Sequence, residues 1–378
     1  MIFLITVLTI HFLVNFYIYY RGIQWLETMP SLKTAFRITM LILVIAYPAG
    51  RFLERIWYGP AANTLHWIGA FWFAGMLYFT LLIFATDIIR LSNMLFHFLP
   101  RTDSSTYFKM KQYAGLIIVA LGTLIVSGGF INAWHPRVHQ LELNINKTVK
   151  GAKQVRVVAA SDIHLGSIIG PRKTRKLVAS INGLQPDIIL LAGDVVDEDV
   201  GPVIRQNLGE SLRQLKAPLG VFAATGNHEY IGGADRSVKY LEEHGIRVLR
   251  DTTTLIKDDF YIIGREDLHA NHRGKPRLSL DELMAPLDKN KPMLMLDHQP
   301  YHLNRVQEAG VDLQISGHTH HGQLWPFGYI TNYLFEVSRG YKQKGNSHFI
   351  VSTGFGTWGP PVRTGNRPEI LEIIVNFQ

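Results

Sequence analysis

The sequence of 378 residues has no cysteine, which excludes a disulfide framework and any thiolate metal site. Charge is scarce in its first third. Residues 1–134 hold 9 Lys and Arg and 4 Asp and Glu, against 29 and 26 in the remainder. Three stretches, 2–20, 65–86 and 113–134, contain no charged residue. The first of them has no basic leading region and no small-residue cleavage site before Tyr20. It therefore reads as a retained span rather than a removed signal. No internal repeat or low-complexity stretch interrupts the chain, which argues against solenoid and disordered architectures.

What is present divides at about residue 134. Helices of about 20 apolar residues cross the roughly 30 Å of a bilayer core. The pattern predicts about four spans, at 2–20, 36–53, 65–88 and 113–134. The second has a shorter uncharged centre, Ile38–Gly50, flanked by Arg37 and Arg51, which can snorkel to opposite interfaces. The loops after the first and third spans carry seven basic residues, against Arg51 and Arg55 after the second. The positive-inside rule then puts both the N-terminus and the C-terminal domain outside the cytoplasm. The protein is expected to be an integral, multi-pass membrane protein with an extracytoplasmic C-terminal domain. Within the spans only His11 lies mid-segment, and Asp87 and Arg90 lie at an end, as in an anchor rather than a transport path. The basic excess around these segments suits anionic lipid headgroups as partners, and no nucleic acid is expected.

Residues 135–152 read as a linker with a leading strand, because Leu141–Ile145 alternates with period two. Residues 153–378 read as one domain in which short buried strands alternate with helices, the pattern of an α/β fold. Helices are predicted at 173–184, 203–215, 235–244, 280–287 and 303–309. Strand-rich stretches near 246–263 and 349–376 predict a second, antiparallel-rich sheet. The strands at 155–160, 188–191, 220–224, 293–296 and 313–315 each stop just before a polar cluster. Those clusters are Asp162-Ile163-His164, Gly193-Asp194-Val195-Val196-Asp197, Gly226-Asn227-His228-Glu229, Asp297-His298 and Gly317-His318-Thr319-His320. Open α/β sheets place their sites just beyond such strand ends.

Asp, Asn and His side chains are oxygen and imidazole donors that suit divalent first-row ions. Asp162 and His164, two residues apart, point the same way in extended backbone. Gly193, without a Cβ, permits close backbone approach beside Asp194, whose two oxygens can bridge two ions. Two divalent ions carry four positive charges. Asp162, Asp194 and one hydroxide offset three, which leaves charge to neutralise a phosphate oxyanion. Glu229 reads as a holder of local backbone rather than a ligand. The loop 264–274, with Asp267, His269, His272 and Arg273, reads as mobile and near the site.

These five blocks resemble the pattern D-x-H, G-D-x-x-D, G-N-H-[DE], H and G-H-x-H of the calcineurin-like metallophosphoesterase superfamily, over residues 153–376. The layout also resembles transmembrane proteins with a metallophosphoesterase domain and a membrane-associated bacterial branch. The resemblance implies a four-layer αββα sandwich, here preceded by a transmembrane helical bundle. It implies two divalent ions, Mn, Fe or Zn. One would be held by Asp162, His164, Asp194 and His320, the other by Asp194, Asn227, His298 and His318. His228 would be the general acid, oriented by Asp197, while a hydroxide between the ions attacks phosphorus. Arg363, in the closing segment, and His321, where relatives often have Gly, are the candidate substrate contacts. The implied activity is metal-dependent hydrolysis of a phosphodiester, pyrophosphate or phosphomonoester. A lipid-linked or cell-envelope substrate at a bacterial cell membrane fits the anchor. The alternative is a non-catalytic metal-binding scaffold in a membrane complex.

Overall fold

A computed structural model describes residues 2–27, 29–57, 59–151, 153–274 and 276–378. The side chains of Arg55 and Arg273, both noted for their charge, lie outside the described residues. The chain forms two compact units, Met1–Ile131 with Gly359–Val362, and Asn132–Trp358 with Arg363–Gln378.

The first unit is built from α1 (Ile2–Trp25), α2 (Pro30–Ile56), α3 (Pro60–Phe96) and α4 (Ser105–Ala133), whose last two residues belong to the second unit. Among the described residues, three stretches are long and apolar enough to cross a membrane: Pro30–Glu54, Pro60–Phe96 and Ser105–Ala133. The short span predicted around Ile38–Gly50 thus sits inside a longer helix. Small residues bring α2 and α3 together: a Cβ on Gly69 would lie 2.3 Å from the backbone N of Tyr47, the close approach that membrane helices use. The polar groups pair internally. Asp87 accepts from Tyr17 at 2.6 Å and from Arg21 Nη2 at 2.6 Å, and Trp72 Nε1 donates to Asn15 Oδ1 at 2.8 Å.

The second unit contains β1 (Arg137–Ile145), β2 (Gln154–Ala160), α5 (Pro171–Gly183), β3 (Ile188–Ala192), α6 (Val200–Arg205), α7 (Gly209–Leu212) and β4 (Val221–Ala224). Next come α8 (Asn227–Gly232), α9 (Ala234–Glu243), β5 (Arg247–Leu249), β6 (Thr252–Ile256), β7 (Phe260–Gly264), α10 (Leu280–Met284) and β8 (Met293–Leu296). It closes with α11 (Leu303–Glu308), β9 (Leu313–Ser316), α12 (Gly328–Leu334), β10 (Gly340–Lys344), β11 (Ser347–Val351) and β12 (Glu369–Phe377).

Two six-stranded sheets result, in the orders β1-β12-β2-β3-β4-β5 and β10-β11-β9-β8-β7-β6. Their inner faces meet in a buried seam that includes Leu190, Phe222, Ile262, Leu294, Leu313 and Ile373. The outer face of the first sheet is covered through Leu177, Ile181, Val203 and Leu241, from α5, α6 and α9. The outer face of the second is covered through Leu283 and Val306, from α10 and α11. The architecture is the four-layer αββα sandwich, preceded by apolar helices.

Two expectations are corrected. The second sheet is not antiparallel-rich: β7, β8, β9 and β11 run parallel, and only its edge strands β6 and β10 are antiparallel. Crossovers through α10 and α11 impose this, because a helical return brings the next strand in parallel. The strand at 369–377 joins the first sheet instead, between β1 and β2. The single helix expected over 203–215 is two short ones, because Asn207 takes a left-handed backbone, φ 51°, which ends α6.

The strands β2, β3 and β4, and likewise β8 and β9, are parallel within their sheets. Within each sheet they therefore deliver their following loops at the same end. Truncating Leu190, which is fully buried in the seam, should lower stability by about 2–5 kcal/mol. Denaturant unfolding of the Leu190→Ala protein followed by tryptophan emission checks this, and a midpoint equal to the wild type would contradict the packed seam.

Candidate metal centre

Each strand end supplies one part of the site. Asp162 and His164 follow β2, Asp194 and Asp197 follow β3, and Asn227 and His228 open α8 after β4. His298 follows β8, and His318 and His320 follow β9. Five of these side chains leave from a left-handed backbone: Asp162 (φ 48°), His164 (52°), Asp194 (50°), His318 (69°) and His320 (42°). Such a conformation ends a strand abruptly and turns the side chain back over the sheet edge. Gly193, at φ 81°, could not carry a side chain, since its Cβ would lie 2.5 Å from His298 Nδ1.

The nine residues converge. His164 Nε2 lies 3.0 Å from His320 Nε2, and His320 Nε2 lies 3.4 Å from Asp162 Oδ1. His298 Nε2 lies 3.1 Å from Asp194 Oδ2 and 3.2 Å from Asn227 Oδ1, and His318 Nδ1 lies 2.8 Å from Asn227 Oδ1. Asp194 Oδ2 also faces the first group, 3.9 Å from His164 Nε2. Donors sharing one ion at about 2.1 Å stand about 3 to 3.5 Å apart, so both clusters have the spacing of a coordination shell. Among the described residues, three sets could hold an ion: Asp162, His164 and His320; His164, Asp194 and His228; and Asp162, Asp194 and His298.

Electrostatics agree with a cation-binding role. Burial holds His318 down, to about 4, and holds His320 well below the usual imidazole range, helped by His164 and Arg363. Both are therefore neutral, the form that binds metal. Burial alone would lower His298 as well, but Asp194, Asp162 and Asp267 outweigh it and hold this imidazole well above its usual value. His298 Nδ1 is committed to Ala192 O at 2.8 Å, which leaves Nε2 as its inward donor. Asp162 is raised by burial, although Ser161 Oγ donates to its Oδ2 at 2.5 Å and the amide of His318 donates to its Oδ1 at 2.9 Å. The residues fit two divalent ions.

His228 and Asp197 form a separate pair at the edge. His228 Nδ1 lies 2.9 Å from Asp197 Oδ1, and the Trp358 ring stands 6.0 Å from the imidazole. Burial would depress His228, but Asp194, then Asp197, reverse the effect and raise it to about 9.

Glu229 is turned to the backbone, as expected from sequence. Its Oε2 accepts from the amides of Asp194 (3.1 Å) and Gly226 (2.8 Å), and its Oε1 from that of Val196 (2.9 Å). The loop 264–274 contains a 3-10 turn, Leu268–Arg273, capped by Asp267, which also accepts from Gln299 Nε2 at 2.8 Å.

The two candidate substrate contacts are placed elsewhere. Arg363 is fully buried. Its guanidinium donates to Gly356 O, Thr353 O and Asn366 Oδ1, and packs 3.3 Å from His320 Nδ1. It positions the loop behind His320 and has no free face for a phosphate. His321 is buried, with Nδ1 2.9 Å from Ser338 Oγ, so it too serves the loop. Trp358 went unnoticed in the sequence, as did Arg265 and Arg277, which both bind Asp297 beside His298. An isolated Trp or Arg outside a motif gives no signal.

The chain is similar to several known proteins. A model of the calcineurin-like phosphoesterase family matches residues 155–322. An uncharacterized metallophosphoesterase of Aquifex aeolicus is 32% identical over 259 residues, covering 68% of this chain and 97% of that protein. A transmembrane protein with metallophosphoesterase domain from Danio rerio is 28% identical, covering 82% of this chain and 74% of its own. An uncharacterized metallophosphoesterase of Campylobacter jejuni is 27% identical, covering 100% and 98%. Among solved structures, a dimetal phosphatase from Danio rerio is similar at a TM-score of 0.32 and 15% identity, covering 53% of this chain and 88% of that one.

Removing the Glu229 carboxylate orphans three buried amides, at about 1–3 kcal/mol for each unsatisfied donor. Glu229→Ala should therefore lose several kcal/mol of stability and bind metal more weakly, while Glu229→Gln, which keeps one acceptor oxygen, should lose less. Thermal unfolding with and without added Mn²⁺ tests the order, and equal effects of the two substitutions would contradict the backbone role.

Proposed function

The chain belongs to the calcineurin-like metallophosphoesterases, metal-dependent phosphoester hydrolases, and on that premise we propose a membrane-anchored, two-metal enzyme acting on a lipid-linked or cell-envelope phosphate ester. The observation that carries this reading is the position of Asp194. One of its oxygens faces both donor clusters, while the other accepts the amide of His228 at 2.8 Å.

In this reading Asp162, His164, Asp194 and His320 hold one ion, and Asp194, Asn227, His298 and His318 the other. The donor set suits Mn, Fe or Zn. When bound, such a pair supplies Lewis acidity to the phosphoryl group and a nucleophile available at neutral pH. The chain's own contribution is at the leaving group. Asp197 engages Nδ1 of His228, so the proton to be delivered is the one on Nε2. Raised to about 9, the imidazole is protonated at neutral pH and can act as general acid. Asp197 is the positioning residue, and Trp358 shields one side of the ring. Arg363 and His321 act through the His320 loop rather than on substrate.

The membrane reading is the second part of the proposal. α1 joins the three apolar helices in a multi-pass anchor, and the excess of basic residues in the first and third loops favours an extracytoplasmic catalytic unit. An anchor of this size serves a substrate confined to the membrane better than a soluble one. The scaffold alternative leaves the His228–Asp197 contact without a purpose.

Asp194→Asn should lose bound metal and turnover together. His228→Ala should keep its metal and lose about 10²–10⁴-fold in rate on an alkyl ester, but much less on a p-nitrophenyl ester, whose leaving group needs no proton. Metal analysis of the purified full chain and assays on bis-p-nitrophenyl phosphate, p-nitrophenyl phosphate and a lipid-linked pyrophosphate check both. Full alkyl-ester activity in His228→Ala would remove it from the mechanism, and normal turnover in Asp194→Asn would refute the metal assignment.

A further inference from the structure

Residues 132–134, at the carboxyl end of α4, are held by basic side chains. Lys173 Nζ donates to Ala133 O at 2.9 Å and Lys176 Nζ to Trp134 O at 2.6 Å. Arg367 Nε donates to Asn132 Oδ1 at 2.9 Å, and the Arg172 guanidinium lies 5.6 Å from the Trp134 ring centre. Arg172, Lys176 and Arg367 are exposed, and among the described residues no carboxylate forms an ion pair with any of the four. An apolar helix long enough to span a bilayer thus ends in a collar of positive charge.

The stretch that contacts this helix end also carries an apolar surface. Asn132 Nδ2 donates to Arg363 O at 2.9 Å and Asn366 O at 2.7 Å. Between those two, the amides of Thr364 and Gly365 donate to Gln323 O at 3.1 and 3.0 Å, and Thr364 Oγ1 accepts from the amide of Trp325 at 3.0 Å. Trp325 begins a segment rich in exposed apolar side chains: Trp325, Phe327, Tyr329 at 72% exposure, Ile330, Tyr333 at 90%, and Leu334. No residue of α12 is buried. So many contiguous large apolar groups are unusual on a water-facing surface. Trp and Tyr are the residues that settle at the headgroup level of a bilayer.

We propose that Trp325–Leu334 seats in the headgroup–acyl boundary of an anionic bilayer, beside the cationic collar at the end of α4. The occupant follows from two observations. The segment is continuous, through Asn132, Thr364 and Gln323, with the end of a helix long enough to cross a membrane, and the collar complements anionic headgroups. The same anchor reaches the site. Gln323 exchanges hydrogen bonds with the Trp358 backbone at 3.0 and 2.9 Å, and the Trp358 ring flanks His228. Resting on the hydrolase reading, this makes the substrate a phosphate ester presented at the membrane surface.

The absence of cysteine provides the test. In the full chain, Tyr333→Cys and, as a control on α9, Lys239→Cys are labelled with an environment-sensitive fluorophore. Each is reconstituted into phosphatidylcholine vesicles with and without phosphatidylglycerol. The label at 333 should shift to the blue, lose emission to brominated acyl chains and resist iodide, most strongly with phosphatidylglycerol, while the label at 239 should respond to iodide alone. Iodide quenching of both labels would overturn the proposal in favour of a solvated segment. Protection of 333 from both quenchers would overturn it in favour of a protein partner or a second copy. A triple variant, Tyr329→Ser, Tyr333→Ser and Leu334→Ser, should turn over a membrane-embedded ester about tenfold more slowly, as local substrate concentration falls, and a soluble ester at the wild-type rate. Equal rates on the embedded ester would also count against the proposal. If the wild type cleaves neither ester, the hydrolase reading fails while the quenching result stands by itself.

Discussion

The Asp194 carboxylate is the contact on which the unit turns. Its backbone carbonyl accepts the amide of His164 at 2.9 Å, its own amide reaches Glu229, and its side chain takes the amide of His228 while facing both donor clusters. Three strand ends of the first sheet are thereby locked to one another before any ligand is considered. Loss of its negative charge would leave His298 and His228 without the group that most strongly favours their protonated forms. Glu229 is the counterpart on the backbone side. With both oxygens bonded to amides, its carboxylate fixes the path of the chain around Asp194 rather than adding a ligand.

Holding this arrangement is costly. A left-handed conformation costs a residue with a side chain roughly 1–2 kcal/mol, and five of the seven expected ligands adopt it. The surrounding sandwich can sustain that strain because the seam between the sheets is apolar and buried, and the strands that lead into these residues are buried as well. The fold and the site are therefore linked in one direction: the strained loops persist because the strands that feed them cannot move.

This linkage explains what was legible in the sequence. A buried parallel strand is a short apolar run, and a polar residue directly after it marks where the sheet ends, so Asp162, Asp194, Asn227, His298 and His318 could be read in order. Roles that depend on where a side chain turns were not legible. Arg363 looked available because guanidinium binds phosphate, but its five bonding directions are spent on carbonyls, an amide oxygen and the back of His320. His321 looked like a substrate contact because it follows a ligand, yet its left-handed backbone, φ 42°, sends the ring to Ser338. The parallel second sheet was not legible because its edge strands β6 and β10 each pair antiparallel with a sequence neighbour, which makes the strand-rich stretches read as hairpins, while the crossovers through α10 and α11 lie between those stretches. Asn207, which breaks the helix expected over 203–215, tolerates a left-handed backbone, but a lone Asn within an otherwise helical pattern does not by itself mark a stop.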